Sequence, residues 1–328
     1  MHTIKEIAEM ANVSRSTVSR ALNNSGYVSE EARKRIEEVV EKTGYVPSEH
    51  AKSLRTKKTK VIGVIVPTIH TETSGKIVAG IDKELAKHGY QILLAATNLD
   101  QQKELEYLDL LQVRQVDGII LLGTNTEPQL AEKLNTLPIP AVMIGQELEG
   151  VPSIVNDDEG AAMEITSYLI SRGHTRIGFI GVDETDRAVG YMRKQGYLKA
   201  MEKHHLPVAS EWMEEAVFDI DSGHDAMERM MQQGRQPSAV FAVTDRLAIG
   251  AKSFLKKAGF IVPADIAVAG IGASEIGQYS DPPLTTVDYQ NEHAGAHAAK
   301  QILLQTNDTE QPCEKIMLNY RLISRDSV

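Results

Sequence analysis

Ile4-Lys5-Glu6-Ile7-Ala8-Glu9-Met10-Ala11-Asn12-Val13-Ser14-Arg15-Ser16-Thr17-Val18-Ser19-Arg20-Ala21-Leu22-Asn23 reads as two short helices joined by a tight turn. Thr3 and Glu6 form a capping box ahead of the first helix, each satisfying an orphan backbone N–H of the other. Ile4, Ile7, Ala8 and Ala11 then recur at helical spacing, and Ala8 is small enough for a close helix crossing. Asn12 falls where the turn needs a left-handed residue, which Asn tolerates better than most. Ser14 is placed to cap the second helix, with Val13 and Val18 filling the angle between the two. A helix N-terminus with free N–H groups faces a phosphate or base edge well. Arg15, Ser16, Thr17 and Arg20 project outward from this helix, and arginine can grip guanine edges bidentately.

Outward from this pair, a third helix starts after Ser29 and carries Ala32, Ile36, Val39 and Val40 on one face, until Gly44-Tyr45-Val46-Pro47 stops it. Residues 48–60 follow as a basic connector, of which 48–56 are too short and too charged to hold a helix alone. From residue 61 the pattern changes to continuous apolar runs, 61–66, 92–96, 118–122, 141–144, 177–180, 239–243 and 266–271. Such runs suit strands buried on both faces. Amphipathic stretches at 76–88, 103–113, 161–172, 192–204 and 247–258 separate most of them, so parallel sheets covered by helices are expected. The chain of 328 residues thus divides into a helix-turn-helix headpiece (1–47), a hinge and linker (48–60) and an α/β core (61–328). The core reads as two doubly wound parallel-sheet lobes. The first is expected at about 61–159 with 290–320, the second at about 160–289 with 321–328.

Charge separates the same parts. Residues 1–60 carry 12 Lys/Arg against 8 Asp/Glu, net +4, while the remaining 268 carry 23 against 37, net −14. A basic front on an acidic body is the footprint of a protein that touches phosphate with one part only. One cysteine, Cys313, allows no internal disulfide and fits a reducing cytosol. Residues 1–25 are polar and amphipathic, unlike a secretory signal, and no apolar stretch approaches the roughly 18 residues of a membrane span. A cytoplasmic protein without membrane contact is expected. No phosphate-binding Gly loop, nucleophile elbow or metal-spaced His/Cys/Glu cluster is apparent, so neither an enzyme, a cofactor nor a metal is expected.

The chain resembles the LacI/GalR family of bacterial repressors. The resemblance is carried by Thr-x-x-Glu-Ile-Ala at 3–8, Val-Ser-x-Ser-Thr-Val-Ser-Arg-Ala-Leu-Asn at 13–23, Val-Ser at 28–29 and Gly-Tyr-x-Pro at 44–47. It implies double-stranded operator DNA as a partner, contacted through Thr3, Ser14, Arg15, Ser16, Thr17, Ser19, Arg20 and Asn23. Arg15 and Ser16 hold the chief base-reading positions. Ala51 and Leu54 follow at the family's hinge-helix spacing, and Leu54 matches a leucine that two subunits press into the minor groove. Ser48 stands where the family usually has Asn, a departure that bears on hinge-helix capping. Wedging costs a few kcal/mol of unstacking, offset by the bend it permits.

The two-lobed core is similar to periplasmic sugar-binding proteins. In open parallel sheets, ligands sit at the carboxyl ends of strands. That rule marks residues 68–72, 123–124, 146–147, 183–193, Phe218, 244–245 and 272–273. With the resemblance, the effector-binding set is Thr71, Gly123, Gln146, Asp186, Arg193, Phe218, Asp245 and Gly272. By sequence, Arg193 could equally pair with a carboxylate, Asp245 could cap a helix, and Phe218 could be core. Two departures bear on the ligand. Thr71-Glu72-Thr73-Ser74 replaces the aromatics of many sugar sensors, and Gly270-Ile-Gly272-Ala273 lacks their usual acid. Both departures look like the sucrose- and trehalose-type sugar operon repressors, and losing an acid would admit a sugar phosphate. The expected protein is therefore a homodimeric repressor of a carbohydrate operon with a sugar or sugar-phosphate effector. The alternative is a global catabolite-type regulator with a protein co-effector. The chain stops soon after its last strand-like segment, with no heptad tail, so a C2 dimer rather than a tetramer is expected.

Overall fold

The computed structural model describes residues 2–45, 58–307 and 314–328. It contains two compact units, Met1–Thr59 and Lys60–Val328. In the first, α1 (Ile4–Met10), α2 (Arg15–Leu22) and α3 (Glu30–Thr43) enclose Ile7, Ala8, Ala11, Val18, Ala21 and Ile36. The sequence-expected caps form. Glu6 N–H donates to Thr3 Oγ1 at 3.3 Å and Thr3 N–H to Glu6 Oε2 at 2.7 Å. Ser14 and Ser29 cap α2 and α3, and Gly44 closes α3 at φ 62°. Asn12 takes the left-handed turn at φ 50°. Arg33 ties α3 to the end of α2, donating to Ala21 O at 3.2 Å and Asn24 Oδ1 at 2.9 Å.

The second unit has two lobes. The first lobe's sheet runs β11-β5-β4-β3-β1-β2, and all its pairs are parallel. Its strands are β1 (Val61–Val66), β2 (Gln91–Ala96), β3 (Gly118–Leu122), β4 (Ala141–Ile144), β5 (Ser153–Asn156) and β11 (Lys315–Leu318). The helices α4 (Glu72–Ala86), α5 (Gln101–Val113) and α6 (Pro128–Thr136) lie between them. The second lobe's sheet runs β12-β10-β9-β8-β6-β7, with β12 antiparallel to β10. Its strands are β6 (Ile177–Gly181), β7 (Met213–Glu215), β8 (Ala239–Ala242), β9 (Ala267–Ile271), β10 (Thr285–Asp288) and β12 (Arg321–Ile323). The helices α7 (Asp158–Ser171), α8 (Arg193–Lys203), α9 (Ile220–Gln232), α10 (Asp245–Lys257) and the short α11 (Glu275–Gln278) serve this lobe. A π-helical turn at Arg187–Met192 leads into α8.

The chain crosses between lobes three times: after β5, through α12 (Asn291–Asn307), which returns to the first lobe, and between β11 and β12. Close packing of α12 on α4 needs two glycines. A methyl on Gly80 would sit 2.0 Å from the Glu292 carbonyl oxygen, and one on Gly295 2.0 Å from that of Ile77.

Two expectations need correction. The run at 92–96 is not buried on both faces: β2 is an edge strand, with Leu93 and Leu94 exposed. The short strands β5, β7, β10, β11 and β12 are absent from the expected runs, because three or four residues, several of them polar, leave no apolar run to read.

Candidate functional site: the headpiece and the interlobe cavity

In the headpiece, Arg15, Ser16, Arg20 and Asn23 are exposed, while Thr17 and Ser19 are half-buried. Ser14 Oγ accepts from Thr17 N–H at 3.1 Å and lies 2.7 Å from Ser16 Oγ and 2.8 Å from Thr17 Oγ1. Three hydroxyls are thus gathered at the N-terminus of α2, beside the Arg15 side chain. Asn23 turns back on its own helix, donating to Ser19 O at 2.7 Å, and Thr3 is occupied in its capping box. Ala51 and Leu54 lie outside the described residues. Tyr27, 88% exposed between α2 and α3, went unremarked in the sequence because a lone aromatic carries no periodicity.

Between the lobes of the second unit lies a cavity of about 190 Å³. Thr71, Gly123, Gln146, Asp186, Arg193, Phe218, Asp245 and Gly272 all line it, most of them from the segments just beyond the carboxyl ends of strands in both sheets and Arg193 from the start of α8. Glu147, also at a strand end, does not; it pairs with Lys315 at 2.5 Å. Asp183 is exposed and accepts from Thr185 N–H at 2.7 Å.

Arg193 is buried in the cavity wall. Its Nε donates to Asp158 Oδ1 at 2.7 Å, its Nη2 is 2.7 Å from the same oxygen, and Nη1 donates to Val243 O at 2.5 Å. The Tyr289 ring lies 5.1 Å from the guanidinium carbon, and Tyr289 Oη donates to Asp158 Oδ1 at 2.8 Å. Burial pushes the Asp158 carboxyl up, while the guanidinium pulls against it. Burial works against the Arg193 charge too, but Tyr289 and the Asp158 carboxylate more than offset it, so Arg193 holds its proton firmly. Asp158 and Tyr289 were missed from sequence: they follow β5 and β10, short strands whose polar residues leave no apolar run to mark the end.

Asp245 is the first residue of α10, but Thr244 is the cap. The Asp245 carboxylate instead accepts from Ser274 N–H at 2.7 Å, Ser274 Oγ at 2.8 Å and Thr286 Oγ1 at 2.5 Å. It therefore braces the loop after β9 from below. Burial raises its carboxyl, and these donors oppose the rise. Asp186 accepts from Val189 N–H at 2.9 Å and, across the lobes, from Gln146 Nε2 at 2.8 Å. Its carboxyl is likewise raised, chiefly by burial. Phe218 is half-buried against the second-lobe core, and its carbonyl accepts from Arg246 Nε at 3.2 Å. Thr71 caps α4 through Ser74 N–H at 3.4 Å.

The wall thus carries hydroxyls, amides and four carboxylates (Glu72, Asp158, Asp186, Asp245) against two guanidiniums, Arg193 and Arg246. Such a surface can bind a polyhydroxylated ligand through many directional hydrogen bonds, with Phe218 and Ile276 as apolar patches. Among the described residues, His224, Asp225 and Glu228 bring possible ligand atoms within 4.8 Å of one another, a grouping the sequence reading overlooked. None of them lines the cavity, and both acids are exposed on α9.

A helix-turn-helix unit followed by a two-lobed binding core defines a ligand-responsive DNA-binding regulator. Residues 3–48 match "Bacterial regulatory proteins, lacI family", and residues 59–325 match "Periplasmic binding proteins and sugar binding domain of LacI family". The chain belongs to the LacI family and is a DNA-binding transcriptional repressor rather than an enzyme. It is 33% identical to the "Probable HTH-type transcriptional repressor ExuR" of Bacillus subtilis (strain 168), covering 100% of this chain and 98% of that protein. It is 32% identical to the repressor CytR of Escherichia coli (strain K12), covering 99% and 96%. Among solved structures, the regulator CelR in complex with cellobiose covers 100% of both chains at 27% identity, TM-score 0.76. The lac repressor dimer bound to operator and the anti-inducer ONPF shares the fold, at 23% identity, with 99% and 98% covered and TM-score 0.89. Among the described residues no helix is long and apolar enough to cross a membrane.

Proposed function

We propose that this cytoplasmic repressor controls a carbohydrate-utilisation operon, binding a palindromic operator as a homodimer and answering to a sugar effector in the interlobe cavity. The observation that carries the effector reading is the convergence of eight residues from both lobes on that one cavity. A ligand touching both lobes can shift their angle, but only by its difference in affinity between the two arrangements. The charge balance favours a neutral sugar, of the sucrose or trehalose kind, over a sugar phosphate. Four carboxylates face two guanidiniums, and one of these is already paired with Asp158. CelR, solved with cellobiose, supports a disaccharide-sized neutral ligand.

In the headpiece, Arg15 and Ser16 read base edges, with Arg20 and Thr17 on bases or phosphates. Ser14, Ser19, Asn23 and Thr3 support or contact the backbone. Paired copies of residues 48–56, with Ala51 and Leu54, act at the operator centre; these positions lie outside the described residues. A homodimer is supported by apolar surface that a second copy would cover: Leu93 and Leu94 on the edge strand, and Tyr279, 76% exposed.

A thermal-shift screen of neutral sugars and their phosphates, followed by operator titration with each hit, tests the reading. A neutral sugar should raise the melting temperature by mass action and change operator affinity. A hit that binds without altering operator affinity would remove the effector reading. Phosphorylated hits alone would overturn the neutral preference. Operator affinity that changes on adding cell protein, when no sugar changes it, would favour the alternative with a protein co-effector.

A further inference from the structure

Glu72 and Lys76 occupy one face of the first two turns of α4, on the first lobe, and Glu72 lines the cavity. Both reach the second lobe. Glu275 N–H donates to Glu72 Oε2 at 2.7 Å and Ile276 N–H to Glu72 Oε1 at 3.3 Å. Lys76 Nζ donates to Ala273 O at 2.9 Å and lies 3.8 Å from Glu72 Oε2. A carboxylate thus takes two backbone donors, and an ammonium takes a backbone acceptor, on one short loop.

That loop is held rigid to receive them. Ala273 sits at φ 46°, a left-handed conformation that a residue with a Cβ adopts only when its surroundings impose it. Its N–H donates to Thr286 Oγ1 at 3.2 Å, while Asp245 grips Ser274 from below. Glu72, in the departure at 71–74, bonds residues 275 and 276, and Ala273, in the departure at 270–273, accepts from Lys76, so both departures border the same interlobe contact.

We propose that Glu72 and Lys76 form a clasp that holds the cavity mouth closed before any ligand arrives, so that effector enters by breaking it. This rests on reading the cavity as the effector site. The clasp resists opening by the strength of charge-assisted hydrogen bonds to backbone, which exceeds that of neutral ones. It acts alongside the buried Gln146–Asp186 bridge. Glu72 and Lys76 are partly exposed, so solvent can compete for them and the clasp can exchange.

The test uses the full chain with neither effector nor DNA, so it can fail while the effector reading stands, and the reverse. A single thiol is placed in the cavity wall as Ala188→Cys, in a Cys313→Ser background, and its labelling rate and backbone amide exchange are measured. With Glu72→Ala, exchange at Glu275 and Ile276 and labelling at position 188 should both rise, by roughly tenfold. Lys76→Met should raise labelling by less. Glu72→Gln, which keeps an acceptor without the charge, should fall between and guards against a folding defect in the alanine variant. Unchanged labelling in both Glu72 variants would overturn the clasp, as would faster exchange at 275–276 without faster labelling.

Discussion

Arg193 and Asp158 are joined inside the cavity wall by two contacts of 2.7 Å to a single carboxylate oxygen, which also accepts from Tyr289 at 2.8 Å. The cavity-lining arginine is thereby half of a structural ion pair. Removing one partner of a buried pair leaves an uncompensated charge, whatever the net worth of the pair itself. Arg193→Ala should therefore cost on the order of 3–5 kcal/mol of stability in urea unfolding. Arg193→Ala with Asp158→Leu should regain much of that. An Arg193→Ala variant as stable as wild type would show that Asp158 is not charged in the folded protein.

Glu104, 1% exposed on α5, should make the core's stability depend on pH. Burial pushes its carboxyl up from 4.5 to about 7, against the pull of the Thr124 backbone and Asn125. The folded state then holds a proton that the unfolded state releases. Stability is highest below pH 4.5 as far as this group is concerned, declines as pH rises towards 7, and levels off above, a loss of at most about 3 kcal/mol. Glu104→Gln should flatten that part of the profile and raise the melting temperature at pH 8. An identical slope in the variant would place the titration elsewhere.

What the sequence made legible follows from what each feature requires of its residues. The headpiece was readable to the residue, because caps, the Asn12 turn and the Ala8 crossing each need a particular side chain at a fixed offset. The cavity was readable because long apolar strands announce their own ends, and ligand-facing residues follow those ends. Asp158 and Tyr289 escaped because they enter at interlobe crossings, where no periodicity marks a site. Helix starts were read three or four residues late at α4 and α7, where capped first turns are polar. The paired partners of Arg193, Asp245 and Glu72 depend on contacts 29 to 203 residues apart in the chain, which no local pattern encodes.

The crossing of α4 and α12 should be intolerant of a single methyl. Gly80→Ala would drive its Cβ to 2.0 Å from the Glu292 carbonyl oxygen, which is backbone and cannot rotate away. Helix separation must increase, at a cost of about 1–3 kcal/mol. Gly89→Ala makes a poor control because of its φ of 69°, whereas Gly75→Ala, with open space around the added carbon, should be neutral or better. Equal melting temperatures for Gly80→Ala and Gly75→Ala would contradict the close packing.

Operator recognition by the headpiece is tested most directly by selecting binding sites from random duplex DNA with the full chain, then titrating the selected site at several salt concentrations. Two headpieces should select a two-fold symmetric sequence, with affinity falling on a log–log slope on the order of −5 to −10. Arg15→Ala or Arg20→Ala should each weaken it by about 1–3 kcal/mol, with relaxed preference at the base contacted. Selection of no symmetric site, or an affinity indifferent to salt and to both arginines, would contradict the account.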